Sequence, residues 1–415
     1  MARVGHAGRG GRPDETARLL ASLASYPGSA CLVLRLAVDD IERALSGVLI
    51  ECLSKRVRLV VEIVEGTVPA ASNALVAMAA RLARRRPRVG TLQSRDILAT
   101  QQGARLLAVP CDPPAPGDST LVEAVAPLGA EPLLGLFSKG AEVIVCGSVA
   151  PSAVCVAFAR HEHRWPADAF GQIAGAAAAG RILKVGPAGI GRVLDEPSPA
   201  AGLPFADIAV DGSIKFGSSG IAPTPAGLAL ALLDGVRDPA SVVEPDVTLD
   251  LSNATILGAT LSGVAGRHAA DWLDGRLVFE SGFLAEGELA FGGTGAAARA
   301  IQAARSLEGR LAAALRDERF RVEVVGVESA TRAAGERAGD LAIVPGRDVR
   351  IRVAARTATQ ELARTALAEF LALSESVPGG PGGLRRTLAR ARHVCVAQIP
   401  KALVPWSVTA PAVDG

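Results

Sequence analysis

The sequence predicts an α/β protein, with a mostly parallel, doubly wound sheet in its N-terminal part and a mixed α+β part C-terminal to it. Three observations lead there. Short apolar runs alternate with segments of helical periodicity in the first half. Glycine-rich loops follow several of those runs, as they do where α/β sheets bind ligands beyond their strand ends. From Asp246 to Phe283 the texture changes to Thr, Val and Leu runs punctuated by glycine, which suggests antiparallel strands. The division falls at residue 205, with 1–205 as an α/β domain with glycine-rich strand-end loops and 206–415 as the mixed α+β region that completes it.

In chain order, Ala30–Leu36 and Arg58–Val64 are β-type runs, and Ala70–Arg86 carries apolar residues at helical spacing. Short apolar strands return at Arg105–Val109 and Glu142–Cys146. Cys111–Gly117 holds too many prolines for a helix or a central strand and is expected as an exposed connection or lid. A helix from Asp168 to about Gly180 leads into a turn-rich stretch, Gly186–Gly202. Asp-Gly between β-type flanks predicts a hairpin around Val210-Asp211-Gly212-Ser213, and a helix follows over about Pro223–Gly235. Gly292-Gly293-Thr294-Gly295 precedes a long helix to about Asp317. Strands near Arg321–Val327 and Val349–Ala354, a helix over about Thr357–Leu373 and a flexible loop at Gly379–Gly383 complete the chain. No fixed-period repeat is present, which disfavours a solenoid.

A chain of 415 residues can bury a large core. Its 44 Lys and Arg against 42 Asp and Glu leave a net charge of +2, which supplies no overall field toward nucleic acid or an anionic membrane. Aromatics at 3% offer few platforms for base stacking. Six cysteines lie apart, without CxxC or Cys/His ligand spacing, and read as small buried hydrophobes in a reducing compartment. The first residues lack an apolar leader and no run reaches about 18 uncharged apolar residues. The expectation is a cytoplasmic protein with no nucleic-acid or membrane partner.

Six segments could carry chemistry, of which Phe291 to Ala296, only loosely like a dinucleotide fingerprint, and Pro378 to Gly383 could each be a flexible hinge. At Glu65-Gly66-Thr67 a strand runs into a helix, where glycine, helix amides and a hydroxyl could hold a carboxylate or phosphate; the alternative is a helix N-cap by Thr67. Gly147-Ser148 repeats the pattern after Cys146, which is expected to be a buried strand residue rather than a nucleophile. His161-Glu162-His163-Arg164-Trp165 holds two of the five histidines, yet no further ligands complete a metal site, so a polar helix end packed by Trp165 is preferred. Asp211 to Gly220 joins Lys215, Gly217, Ser218, Ser219 and Gly220 ahead of a helix, a plausible anion cradle balanced evenly against a structural turn. Neither a P-loop nor a convincing dinucleotide fingerprint is present, and no motif identifies a cofactor.

Several segments, taken in order, resemble the acyclic terpene utilisation family of the AtuA type: Arg3 to Arg12, Ile50 to Val60 with Gly66 and Pro69, Leu128 to Ala150, His161 to Trp165, Gly180 to Gly186, Val210-Asp211-Gly212 with Lys215, Pro245 to Asp250, Val353 to Arg356, and Pro381 to Gly383 with Ile399-Pro400. The chain departs from the family pattern at Ser148, where an arginine is usual, and at Val68-Pro69, Lys184-Val185 and Ser219-Gly220. The resemblance implies action on, or binding of, a branched acyl-CoA or small carboxylic acid. Glu65, His161 and Asp211 are then the acid/base candidates, and Gly66, Thr67, Gly147, Ser148, Lys215 and Gly217 to Gly220 the anion-binding ones. The departures leave open a non-catalytic subunit or scaffold, with a homo-oligomer or a pathway enzyme as partner.

Overall fold

A computed structural model describes residues 1–7, 13–82, 86–94, 97–98, 103–186, 202–327, 348–377 and 381–411. The turn-rich stretch expected at 186–202, most of the opening loop after Ala7 and the start of the 379–383 loop lie outside the described residues. The chain forms two compact units, the first from Met1–Pro110, Ala124–Arg276 and Val396–Gly415, the second from Cys111–Glu123 and Leu277–Cys395.

The first unit begins with β1 (Ala2–Ala7), α1 (Pro13–Ala24), β2 (Ser29–Ala37), α2 (Ile41–Leu45), α3 (Val48–Lys55), β3 (Arg58–Glu65), α4 (Val68–Leu82) and β4 (Val89–Ser94). A short helix, α5 (Gly103–Leu106), stands where a strand is expected at Arg105–Val109. That apolar run is too short for periodicity to separate helix from strand. The chain then forms β5 (Cys111–Asp112), β6 (Thr120–Val125), α6 (Glu131–Ser138), β7 (Val143–Cys146), α7 (Pro151–His163), α8 (Phe170–Lys184), β8 (Pro204–Ile208) and β9 (Ile214–Ser218). The expected hairpin is the antiparallel β8–β9 pair, and the helix expected after it spans Pro225–Leu233.

Short strands follow: β10 (Val242–Val243), β11 (Thr248–Asp250), β12 (Thr255–Leu257), β13 (Thr260–Ser262) and β14 (Ala265–Arg267). With β19 (Trp406–Thr409), the main sheet has ten strands in the order β12-β13-β9-β8-β1-β2-β3-β7-β4-β19. The central block β1, β2, β3, β7 and β4 is parallel, flanked by antiparallel strands on both sides. Helices cover both faces of that block, and its strands accordingly carry buried apolar runs: Cys31 to Leu34 and Val143 to Cys146 are all buried. Leu32, Leu34, Leu59, Val61 and Ile63 pack against α1, α3 and α4, while α6, α7 and α8 lie on the opposite face. From Ser152 to Ala159, α7 is buried at every residue.

The second unit is built on an antiparallel sheet from β16 (Arg319–Val325), β17 (Asp348–Thr357), β15 (Trp272–Gly292), β18 (Gly382–Pro400) and β5, with β6 also pairing β15. The helices Ala296–Ala314 and Gln360–Ser376 cover one face, and their apolar stripes meet Leu289, Val322, Ile351 and Val353. The other face presents cross-strand ion pairs. Cys111, expected in an exposed connection, adds a two-residue strand ahead of a cis Asp112–Pro113 bond. The 19 residues of β18 are an element that hydrophobic alternation does not announce, because its first half is exposed and rich in arginine and buried positions recur only from Ala391 onward.

Candidate functional site

Side chains alternate across a strand, so β1, β2 and β3 each present one set of residues to α1, α3 and α4 and the other to α7 and α8. The second set ends, at the carboxyl edge, in three polar residues: His6 of β1, Arg35 of β2 and Glu62 of β3. Register places Arg35 directly beside Glu62, and Arg35 Nε lies 2.8 Å from Glu62 Oε2. His6 and Glu62 face a small enclosed cavity of about 20 Å³, roofed by Val149, Ala150, Val154 and Cys155 and by Leu183 of α8. That is room for about one water molecule.

Burial raises the Glu62 carboxyl above its ordinary range, against the opposing pull of the Arg35 charge and of the hydrogen bond donated by the Val149 N–H. The His6 imidazole is lowered to about 4, first by burial and then by the Arg35 charge, so it is neutral at physiological pH. Its Nδ1 is closed off from solvent and has no hydrogen-bond partner among the described residues. The Arg35 side chain keeps 40% of its exposure while Glu62 keeps 13%. The trio therefore offers a guanidinium with N–H groups to spare for an arriving carboxylate, a carboxyl whose proton affinity is raised, and a neutral imidazole beside them. It lies where parallel sheets place their ligands, outside the carboxyl ends of central strands.

Two of the loops singled out from the sequence share this edge. Thr67, between β3 and α4, is exposed, and its hydroxyl accepts the Ala70 N–H at 3.3 Å as a helix N-cap. Gly66 holds φ +93, and a Cβ there would meet Val38 at 2.4 Å, so the turn requires glycine independently of any ligand. Glu65 is exposed at the end of β3. After β7, the Gly147 N–H donates to Leu92 at 3.0 Å and the Ser148 carbonyl accepts from Leu128 at 3.2 Å. The half-buried Ser148 hydroxyl makes no hydrogen bond among the described residues, so it is available to a ligand. Cys146 is fully buried in β7, and burial followed by the Glu62 charge pushes its thiol far up, which removes it as a nucleophile.

The remaining residues lie elsewhere. His161, in the last turn of α7, and Asp211, in the β8–β9 turn, stand at the amino edge, separated from Glu65 by the length of the strands. His161 stacks on Phe137 and its ring is lowered by burial. Its neighbour His163 bonds the Ile208 carbonyl, and Trp165 packs on His163 and donates to Val210, as a polar helix end requires. Asp211 is exposed and accepts from the Ser213 N–H and hydroxyl, which lower its carboxyl and shape the turn.

Lys215 is exposed on β9, three residues before Ser218. At Gly217 a Cβ would lie 2.3 Å from the Phe205 ring. The Ser218 hydroxyl accepts from Gly220 N–H and that of Ser219 from Leu203 N–H, closing the loop on itself. The end of β9 shares the carboxyl edge with Gly66 and Gly147, but β8, β1 and β2 intervene before β3, a lateral gap of roughly 19 Å.

A second buried polar cluster joins distant segments. Asp246 receives the Ala130 N–H at 2.8 and 3.0 Å at the start of α6, and burial raises its carboxyl to about 6. Two residues earlier, Glu244 accepts from Ser152 and from Arg181, both at 2.6 Å. Lys401 Nζ donates to the Pro245 carbonyl at 2.7 Å. This network fastens α6, α7 and α8 to the 242–250 segment. Among the described residues no group of three or more His, Cys, Asp or Glu side chains could hold a metal ion, and no helix is long and apolar enough to cross a membrane.

His6, Arg35 and Glu62 are absent from the sequence-derived set, although a signal for two of them exists. Arg35 in Cys-Leu-Val-Leu-Arg and Glu62 in Leu-Val-Val-Glu are charges inside runs otherwise fit for a doubly covered strand.

A family model described as "Acyclic terpene utilisation family protein AtuA" matches residues 38–413. No curated protein and no solved structure matches the chain.

Proposed function

The chain belongs to the acyclic terpene utilisation (AtuA) family, and from that premise we propose that it binds a branched acyl-CoA or a small carboxylic acid and acts on it at the carboxyl edge of β1, β2 and β3. The observation that carries this reading is the Arg35–Glu62–His6 trio at that edge, in which Glu62 and His6 are desolvated and Arg35 stays partly open. Arg35 anchors the ligand's carboxylate or thioester carbonyl through charge-assisted hydrogen bonds. Glu62, with its raised proton affinity, moves a proton on the reacting carbon or oxygen. Ser148 donates a further hydrogen bond, and Glu65, at the same edge, serves as a second acid/base group. His161 and Asp211, at the opposite edge, have no part in this step.

The loop Gly217 to Gly220, with Lys215 behind it, discriminates between the two ligand classes. A contact there and at Arg35 together spans roughly 14 Å, since β8 and β1 lie between β9 and β2, within reach of an extended CoA ester and beyond that of a small acid. Calorimetric titration of the full chain with isovalerate and isovaleryl-CoA tests the reading. Arg35→Gln is expected to weaken either probe by roughly tenfold or more, and Lys215→Ala to weaken the CoA ester alone. Glu62→Gln should retain binding and lose turnover. If the native chain binds neither probe, the reading fails.

A second reading, a non-catalytic subunit that pairs with a pathway enzyme or with its own copy, draws support from the hydroxyls of Thr67, Ser218 and Ser219, which are all engaged in local hydrogen bonds. Turnover of the CoA ester by the purified chain alone would exclude it.

A further inference from the structure

We propose that an arginine-lined cleft at the amino edge of the ten-stranded sheet binds a small ligand carrying consecutive phosphate groups, a nucleotide or a molecule of the pyrophosphate class. The cleft has a volume of about 690 Å³, within the range of roughly 300–1,000 Å³ typical of small-molecule sites. Arg56, Arg58, Arg86 and Arg88 line it, with Glu142 and Glu162. It opens where β2, β3, β7 and β4 begin, so the length of the strands separates it from His6, Arg35 and Glu62, and the proposal stands apart from the reading given above.

The two carboxylates are already committed. Glu142 accepts the Arg88 N–H at 3.0 Å and stands 3.9 Å from the Arg88 guanidinium. Glu162 accepts the Ser29 hydroxyl and lies 3.9 Å from His161. Arg58 is anchored as well, donating to the Ala141 carbonyl at 2.6 Å. The side chains of Arg56 and Arg86, by contrast, are exposed and form no ion pair or hydrogen bond among the described residues. Two unpaired guanidiniums thus face a cleft whose acids have partners of their own.

Arg56 caps α3 in the left-handed conformation, φ +56. Glycine adopts that conformation freely and arginine does not, so local backbone preference gives no account of an arginine here. Guanidinium forks match phosphate oxygens in pairs. Two of them, from separate segments, suit a ligand with at least two anionic groups better than a single carboxylate. The concave shape, together with a whole-chain charge of only +2, fits a small ligand better than a nucleic-acid backbone, which calls for an extended basic track.

Titrate the full chain with pyrophosphate, ATP and CoA by calorimetry, in the native form and as Arg56→Gly, Arg86→Ala and Arg35→Gln. The expected result is saturable binding of pyrophosphate and ATP, weakened on the order of tenfold by either cleft substitution and unchanged in Arg35→Gln. Glycine suits the backbone at 56, so thermal melting of that variant should match the native chain and separate lost binding from lost fold. CoA binding that falls in Arg56→Gly but not in Arg35→Gln assigns the cleft to the phosphates of CoA; ATP binding without CoA binding assigns it to nucleotides. Absence of saturable binding by all three probes overturns the proposal, as does binding that neither cleft substitution alters. A single-stranded oligonucleotide that binds more tightly than ATP and is equally sensitive to both substitutions also overturns it, in favour of a nucleic-acid surface.

Discussion

The parallel block of the first unit and the antiparallel sheet of the second use the same residue types in opposite ways. In the second, Arg350–Glu288, Arg352–Glu286 and Arg392–Glu280 pair across strands on an open face, with side chains between 23% and 62% exposed. In the first, helices cover both faces, so Arg3–Asp207 and Arg181–Glu244 are drawn out of water with side chains at most 15% exposed, Glu62 is closed off while its partner Arg35 stays 40% exposed, and burial raises Glu62 and Asp246. An arginine beside a glutamate means little until the dielectric around it is known. Desolvation, more than pairing, therefore separates a candidate site from a solubilising surface.

The sharpest way to break that contrast is Asp207→Ala. Asp207 receives two bonds from Arg3, at 2.6 and 2.8 Å, and the Arg3 guanidinium lies over the rings of Tyr26 and Phe205, 3.9 and 4.2 Å from their centroids. The pair ties parallel β1 to antiparallel β8. Removing the acid strands a cation in a largely closed site, and urea denaturation should register a loss of about 3–5 kcal/mol. A loss below about 1 kcal/mol would place this pair with the exposed ones and dissolve the distinction.

Two buried groups sharpen the contrast through pH, with opposite signs. The folded pKa of Asp246, about 6, lies above its ordinary value of 3.8, so the native state holds the proton more tightly than the unfolded chain. Stability from this group is full below about pH 4, falls as pH rises and levels off above about pH 6; Asp246→Asn should remove that trend. The folded pKa of His6, about 4, lies below 6.5. Its contribution is full above about pH 6.5 and is lost as pH falls toward 4, a loss that His6→Gln should abolish. Denaturation midpoints of the three proteins between pH 4 and 7 decide the matter, and parallel curves would mean that neither group is desolvated.

Much of this fold was legible because its central strands are apolar in unbroken runs, and the helices between them keep a 3.6-residue period. The Asp211-Gly212 turn was readable from local chemistry alone. What escaped the sequence depends on neighbours far away in the chain. The first half of β18 escapes because it is exposed and rich in arginine, and only its place beside β15 marks it as a strand. The Arg35–Glu62 pair exists only once two strands lie side by side, and local reading favoured glycine loops over charges inside strands. Nor does the sequence reveal that the Ser218 and Ser219 hydroxyls accept the Gly220 and Leu203 N–H groups and so shape the loop. The glycine-rich loops at Gly66 and Gly147 follow β3 and β7 at the carboxyl edge of the sheet, and the polar groups His6, Arg35 and Glu62 sit one layer inside it.

The smallest effect belongs to the second unit. Arg352 of β17 stands opposite Glu288 of β15 in the register and pairs diagonally with Glu286, 3.1 Å apart, with 54% and 37% of their side chains exposed. A double-mutant cycle with Arg352→Ala and Glu286→Ala should return a coupling of roughly 0.2–1 kcal/mol, shrinking further in 1 M salt as the screening length falls to about 3 Å. The same cycle on Arg3 and Asp207 should retain most of its coupling in that salt, since ions screen a closed pair poorly. Equal salt sensitivity in the two cycles would mean that the first unit's charges are as wet as those of the second, and the carboxyl-edge trio would then lose the low dielectric that its proposed role requires.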